Sequence, residues 1–237
     1  MQRYFSNSLT NNIFTLSKDD SYHIKKVMRM NNFDRIEIVH DSMTYICEII
    51  NLDNLVEARI VEKIKEDAEF NKKVILVQSL VNEQKMDLIL QKSTELGISE
   101  IYAYKATNSV VKENDKSNKK IERWQKIVKE ASEQSKRTII PQIKGIISLK
   151  ELINIDANLK IMLSVNENKK SIKNVLQENS NCDILIIVVG PEGGFTKDEE
   201  KILQENGFIS TTLGNRVLRT ETASLAILSM INYEWMD

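Results

Sequence analysis

The stretch from Asp183 to Trp235, DILIIVVGPEGGFTKDEEKILQENGFISTTLGNRVLRTETASLAILSMINYEW, decides how the rest of the chain is read. Its six apolar residues Ile184 to Val189 form a short run dense in β-branched side chains, which predicts a strand buried on both faces. Gly190-Pro191-Glu192-Gly193-Gly194 follows at once. Three glycines within five residues leave main-chain N–H groups uncovered and permit positive φ, the equipment of a loop that closes on a ligand. Thr196 with Glu199 makes a capping box and Gly207 a stop signal, so a short helix lies between them. A second strand, Phe208 to Leu213, runs into Gly214 and then Asn215 to Ala223. Two glycine-bearing loops thus leave the carboxyl ends of two strands, the edge at which open α/β sheets bind ligands.

Upstream, from Lys73 onward, strands alternate with helices. Val74 to Leu80, Glu100 to Lys105 and Lys160 to Val165 read as strands; Gln84 to Leu96 (stopped by Gly97), Lys119 to Arg137 and, more weakly, Ser171 to Glu178 read as helices. That grammar argues for a mainly parallel sheet with helices on its faces. In the long helix Ile121, Trp124, Ile127, Val128 and Ala131 recur at helical spacing, so Trp124 is read as a packing residue. The last helix, Thr222 to Trp235, is apolar around most of its circumference and must be buried. Burial against a second copy, in a two-fold dimer, is the reading taken here. The first 70 residues are β-rich instead: Ser17-x-x-Asp20 caps a helix expected at Tyr22 to Met30, and strands are expected at Arg35 to Val39, Thr44 to Ile50 and Val56 to Ile64. With the charged run Lys65 to Lys73 as linker, domains 1–70 and 73–237 are expected.

The 237 residues carry a net charge of only -1, but the charge is uneven. Residues 105–150 hold 12 basic and 5 acidic side chains, a local concentration of the kind that marks nucleic-acid binding. Cys47 and Cys182 are solitary and there are two histidines, His23 and His40, so neither a disulfide framework nor metal catalysis is expected. No signal-peptide pattern or membrane-length apolar run is present, and a soluble, cytoplasmic protein with no membrane partner is expected.

The glycine loop fits neither common phosphate-binding pattern. No Gly-Lys-Ser/Thr follows, as a P-loop needs, and the spacing and late position do not suit a Rossmann site. Pro191-Glu192 also puts a carboxylate where a pyrophosphate would lie, which favours a neutral or cationic ligand. Arg219 and Glu221 flank Thr220. They read either as functional groups or as the ordinary start of a helix, with Thr220 as cap and Glu221 set against the helix dipole; Arg216 reads as solvent-facing.

VVGPEGGFTKDE together with LGNRVLRTETA resembles the signature of the RsmE family of 16S ribosomal RNA (uracil-N3)-methyltransferases, within the SPOUT, or α/β-knot, superfamily. Gln84 to Ser99 and Arg123 to Arg137, followed by Pro141, match further family stretches. Arg3 to Phe5 and His23 to Met30 resemble its PUA-like RNA-binding domain. Two positions depart from the pattern: Phe33-Asp34 stands where the family usually has Gly-Asp, and Asp41-Ser42 where it has Asp-Gly.

The resemblance implies a SPOUT-type trefoil-knotted, mainly parallel α/β sheet with helices on both faces, preceded by a small PUA-like β-barrel domain. It implies S-adenosyl-L-methionine as cofactor, 16S rRNA or the small ribosomal subunit as partner, and a homodimer through the carboxyl-terminal knot domain. Carried over residue by residue, Gly190, Glu192, Gly193 and Gly194 form one wall of the cofactor pocket and Leu213, Gly214, Val217 and Leu218 the other. Leu163 and Ser164 supply a third side, and Thr222 a further contact. Arg219 is the candidate cation for uracil O2 or O4, while Glu221, Glu192 or a water takes the N3 proton. Arg3, His23, Lys25, Arg29, Lys92, Arg123 and Arg137 are the candidate RNA contacts. The implied product is N3-methyluridine in the decoding region. Two alternatives stand beside it: a related enzyme acting on another RNA or a ribose 2′-oxygen, and a non-catalytic RNA-binding module.

Overall fold

Two hydrophobic patterns, apolar residues mixed with polar ones early in the chain and continuous apolar runs later, give two different sheets. The computed structural model describes residues 1–65, 68–109, 117–167 and 169–235. The chain divides into two units, Met1–Glu69 with Ser132–Ile139, and Phe70–Ala131 with Ile140–Asp237. Ser132–Ile139, read from sequence as part of the larger domain, groups with the first unit for a physical reason. The Glu69 carboxylate accepts hydrogen bonds from the Thr138 and Ile139 N–H groups at 2.8 and 2.9 Å, and Arg3 donates to the carbonyls of Lys136 and Arg137.

The first unit holds β1 (Arg3–Phe5), β2 (Leu9–Thr10), β3 (Ile13–Thr15), α1 (Lys18–Tyr22), β4 (Arg35–His40), β5 (Met43–Asn51) and β6 (Glu57–Ile64). Its sheet runs β1-β4-β5-β6-β3-β2; only the β1–β4 pair is parallel. Ile36 and Ile38 of β4 point inward with Phe14, Cys47 and Ile49, the period-two pattern of a half-buried strand. Ser17 does cap a helix, accepting from the Asp20 N–H, but that helix starts at Lys18 and passes into a π-helical turn at His23–Val27. The segment expected as a helix from Tyr22 to Met30 is therefore shifted toward its cap.

The second unit holds β7 (Lys73–Ser79), α2 (Glu83–Glu95), β8 (Glu100–Tyr104), most of α3 (Ser117–Gln134), β9 (Gln142–Ile147), α4 (Leu149–Ile153), β10 (Leu159–Leu163), α5 (Ile172–Glu178), β11 (Ile184–Val189), α6 (Lys197–Glu205), β12 (Ile209–Thr211) and α7 (Thr220–Trp235). The sheet order is β12-β10-β11-β7-β8-β9 and every pair is parallel. Along β11, Leu185, Ile187 and Val189 pack with α2, α5 and α7, whereas Ile186 and Val188 pack with residues of α4 and α6. A continuous apolar run is what a sheet covered on both sides requires. Trp124 of α3 is 2% exposed and belongs to the first of these clusters.

Helix α7 is buried within the chain along one side only. Ile227, Leu228, Ile231 and Trp235 are buried in the core. Leu225 and Ala226 are half-buried, while Met230 and Tyr233 are exposed, Tyr233 at 88%.

Candidate cofactor and catalytic site

The registers of three strands bring their exits together. Leu163 of β10 pairs with Val189 of β11 on one side and Thr211 of β12 on the other, so the loops after all three begin at one level of the sheet. Between them lies a cavity of about 710 Å³, within the usual range for a small-molecule site. The first loop is closed by the Gly194 N–H donating to the Pro191 carbonyl at 2.9 Å, and Gly194 sits at φ +69, a conformation that favours glycine. The Asn108 amide donates to the Gly194 carbonyl at 3.1 Å and holds the loop from outside. Gly214 opens the second loop at φ +116.

A buried polar relay fixes the loops to the sheet. The Thr220 hydroxyl donates to the Gly190 carbonyl at 2.7 Å, which leaves its oxygen to accept from Gln78 Nε2 at 2.9 Å. The single Ser224 hydroxyl proton is shared between Gln78 Oε1 and the Thr220 carbonyl. Gln78 is fully buried at the end of β7. The exit of β11, the end of β7 and the first turn of α7 are thus one hydrogen-bonded assembly, and buried polar groups satisfied in this way are rigid.

Charge is concentrated at one rim. Lys85, in the first turn of α2, lies 2.9 Å from Glu192 Oε1 and 3.5 Å from Glu221 Oε2. Burial works to raise the Glu192 carboxyl, but the Lys85 ammonium hydrogen-bonded to it wins and holds it below the ordinary carboxylate range. The same hydrogen bond from Lys85 to Glu192 holds the ammonium above its ordinary value. Glu221 Oε2 is buried, with the Lys85 ammonium facing it. Arg216 and Arg219 line the cavity, are exposed, and have no ion-pair partner among the described residues. Across the cavity the Ser164 hydroxyl donates to Glu200 Oε1 at 2.6 Å.

Of the sequence candidates, Leu163, Ser164, Gly190, Glu192, Gly193 and Gly194 line this cavity, as do Leu213, Gly214, Val217, Leu218 and Arg219. Glu221 reaches its rim through Lys85. Thr222 does not line it and is exposed: α7 begins two residues before the expected start, so Thr220 and Ala223 take the inward places. Sequence reasoning missed Lys85, Gln78 and Glu200. Gln78 left a trace, a lone amide in the apolar strand Lys73–Ser79.

The RNA candidates divide sharply. Arg3 is a correction: its side chain is buried, ion-paired to Glu37 at 2.9 Å and donating to two carbonyls, so it offers nothing to a surface ligand. Arg137 is a second correction, 5% exposed and forked onto Glu69 with the shorter contact at 2.6 Å. Lys25 donates to the carbonyls of Asp53 and Asn54, and His23 Nδ1 lies 3.0 Å from the Tyr4 hydroxyl. Lys92 pairs with Glu95, and Arg123 with Asp87 and Glu83. Arg29 is exposed. Among the described residues no group of His, Cys, Asp and Glu could hold a metal ion, and no helix is long and apolar enough to cross a membrane.

Comparison with known proteins points one way. A family model described as an RNA methyltransferase domain matches residues 68–232. Ribosomal RNA small subunit methyltransferase E of Bacillus subtilis is 36% identical over 99% of this chain and 97% of its own length. The protein of the same name from Mesomycoplasma hyopneumoniae is 34% identical over 97% and 98%. A ribosomal RNA small subunit methyltransferase E from Neisseria gonorrhoeae, solved bound to S-adenosyl methionine, superposes with a TM-score of 0.90 at 30% identity, covering 99% of this chain and 98% of that one.

Proposed function

The chain belongs to the ribosomal RNA small subunit methyltransferase E family, and from that premise we propose that it methylates N3 of a uridine in the decoding region of small-subunit ribosomal RNA. The observation that carries the reading is the cavity at the ends of β10, β11 and β12 with Arg219 at its rim. Its volume and its two glycine loops suit an adenosyl group, and the carboxylates of Glu192 and Glu200 suit the positive charges of S-adenosylmethionine. When bound, that cofactor supplies an electrophilic methyl carbon on a sulfonium. Gly190, Glu192, Gly193 and Gly194 would hold it from one side, Leu213, Gly214, Val217 and Leu218 from the other, and Leu163 and Ser164 from the floor.

The chain's own residues do the remaining work. Uracil N3 must lose its proton, and the charge left behind spreads to O2 and O4. The Arg219 guanidinium, free of any ion pair among the described residues, stabilises that charge as an oxyanion donor does. Glu192 is the weaker base, because Lys85 already occupies it. Glu221 is held by the same ammonium at a longer distance, 3.5 Å against 2.9 Å, and it or a water takes the proton. The Gln78–Thr220 relay fixes α7, and with it Arg219, against the Gly190 loop, so that base and donor meet in one geometry.

Three further features belong to the same reading. β11 inserts between β7 and β10 although it follows both, and β12 lies outside β10, an order that supports a trefoil knot. The exposed apolar positions Met230 and Tyr233 of α7 support a homodimer through that helix. The first unit is the PUA-like RNA-binding domain, and the protein acts in the cytoplasm. Nucleoside mass spectrometry of small-subunit rRNA from deletion and parent strains tests the assignment. Loss of N3-methyluridine in the deletion is expected; an unchanged signal contradicts it.

A further inference from the structure

Most exposed side chains in the first unit are polar, but Phe33 is 74% exposed. It also lies at φ +74, in a region that bulky residues rarely adopt. The backbone is pinned there: the Phe33 N–H donates to the Ile49 carbonyl at 2.8 Å, the Asp34 N–H to Asn31 O at 3.2 Å, and the Asn31 N–H to Asp34 Oδ2 at 2.7 Å. A glycine would fit this turn without strain. Phenylalanine is unfavourable here twice over, by conformation and by exposure, and neither contributes to folding. An outlier held in place by its surroundings points to a use outside the fold.

The surroundings indicate which use. Residues 22–35 carry four basic side chains, Lys25, Lys26, Arg29 and Arg35, against the single acid Asp34, whose carboxylate is occupied by the Asn31 N–H. Lys26, Arg29 and Arg35 are exposed and without an ion pair among the described residues. An exposed ring close in sequence to unpaired cations matches an unstacked base on a phosphate backbone. Building on the rRNA reading above, we propose that the Phe33 ring is a stacking platform for an unpaired base of the substrate RNA, with Arg29 and its neighbours holding the flanking phosphates.

The test uses the full chain with a 16S rRNA transcript, followed by fluorescence anisotropy, together with thermal melting and S-adenosylmethionine calorimetry. Phe33→Gly and Phe33→Asn, both suited to positive φ, are expected to weaken RNA binding by about 5- to 150-fold while raising the melting temperature by about 2 °C and leaving cofactor affinity unchanged. Phe33→Tyr retains RNA affinity. Unchanged RNA affinity in Phe33→Gly, with the wild type binding normally, overturns this inference alone. Loss of self-association in Phe33→Gly without a change in RNA affinity overturns it too and assigns the ring to a second copy. A wild type that binds no rRNA overturns the functional reading and this inference with it.

Discussion

Arg3 and Arg219 both stand in motifs of one family, yet they are used in opposite ways. Arg3 is buried, with a carboxylate and two carbonyls around its guanidinium. Arg219 is exposed at a cavity rim, and the residue beside it, Thr220, carries the structural bond. The difference teaches that an arginine's charge is available to a ligand only where the backbone around it is held by something else. At the cavity neutral hydroxyl and amide groups do the holding, so the cation is free. At Arg3 the cation does the holding itself.

The largest effect that would sharpen this contrast is on turnover. Arg219→Ala is expected to lower single-turnover methyl transfer by about 10²- to 10³-fold, with thermal unfolding and cofactor affinity nearly unchanged. Preserved turnover would remove Arg219 from the chemistry and break the contrast. Arg3→Leu should act on the other axis, destabilising by about 3–5 kcal/mol in denaturant melts because Glu37 loses one of its two cations and the Lys136 and Arg137 carbonyls lose their donor. A loss below about 1 kcal/mol would show that Arg3 is not structural. Thr220→Val, which strands the Gly190 carbonyl and the Gln78 amide, is expected to destabilise by about 1–3 kcal/mol and to slow turnover; Thr220→Ser should restore both. If serine fails to restore turnover, the relay does not position Arg219.

The smallest expected effect is on acid stability. Burial pushes the Glu37 carboxyl up, but the Lys136 and Arg3 cations bonded to it outweigh that and hold it low. Its contribution is therefore complete above the unfolded carboxylate range and fades as pH falls below about 4 through the folded value. Urea midpoints measured between pH 7 and pH 3 should fall less steeply in Glu37→Gln than in the wild type. Equal slopes would exclude this ion pair as a source of acid sensitivity.

Much of the cavity end was readable because its signals are local. The run Ile184–Val189 is itself β11, and Thr196 with Glu199 forms the capping box in front of α6. The walls at Gly190–Gly194 and Leu213–Leu218 come from loops whose glycines announce them. What was not readable depends on distant partners. Arg3 looks like a surface cation until Lys136 and Arg137, more than 130 residues on, present their carbonyls to it. Lys85 acquires its place only through Glu192, 107 positions away. Strand β9 at the sheet edge and the one-turn helix α4 were missed because Gly145 at φ +109 interrupts the apolar pattern and four or five residues are too few to show a helical period.

The claim on which the rest depends is that the loops after β11 and β12 form one binding site for S-adenosylmethionine. Calorimetric titration of the cofactor into the wild type, Arg219→Ala and Gly214→Val tests it most directly. Gly214 sits at φ +116, where a valine side chain forces the second loop to rearrange. Saturable binding to the wild type and Arg219→Ala, lost in a folded Gly214→Val, is the predicted result. Equal binding by Gly214→Val, or no binding by the wild type, would contradict it.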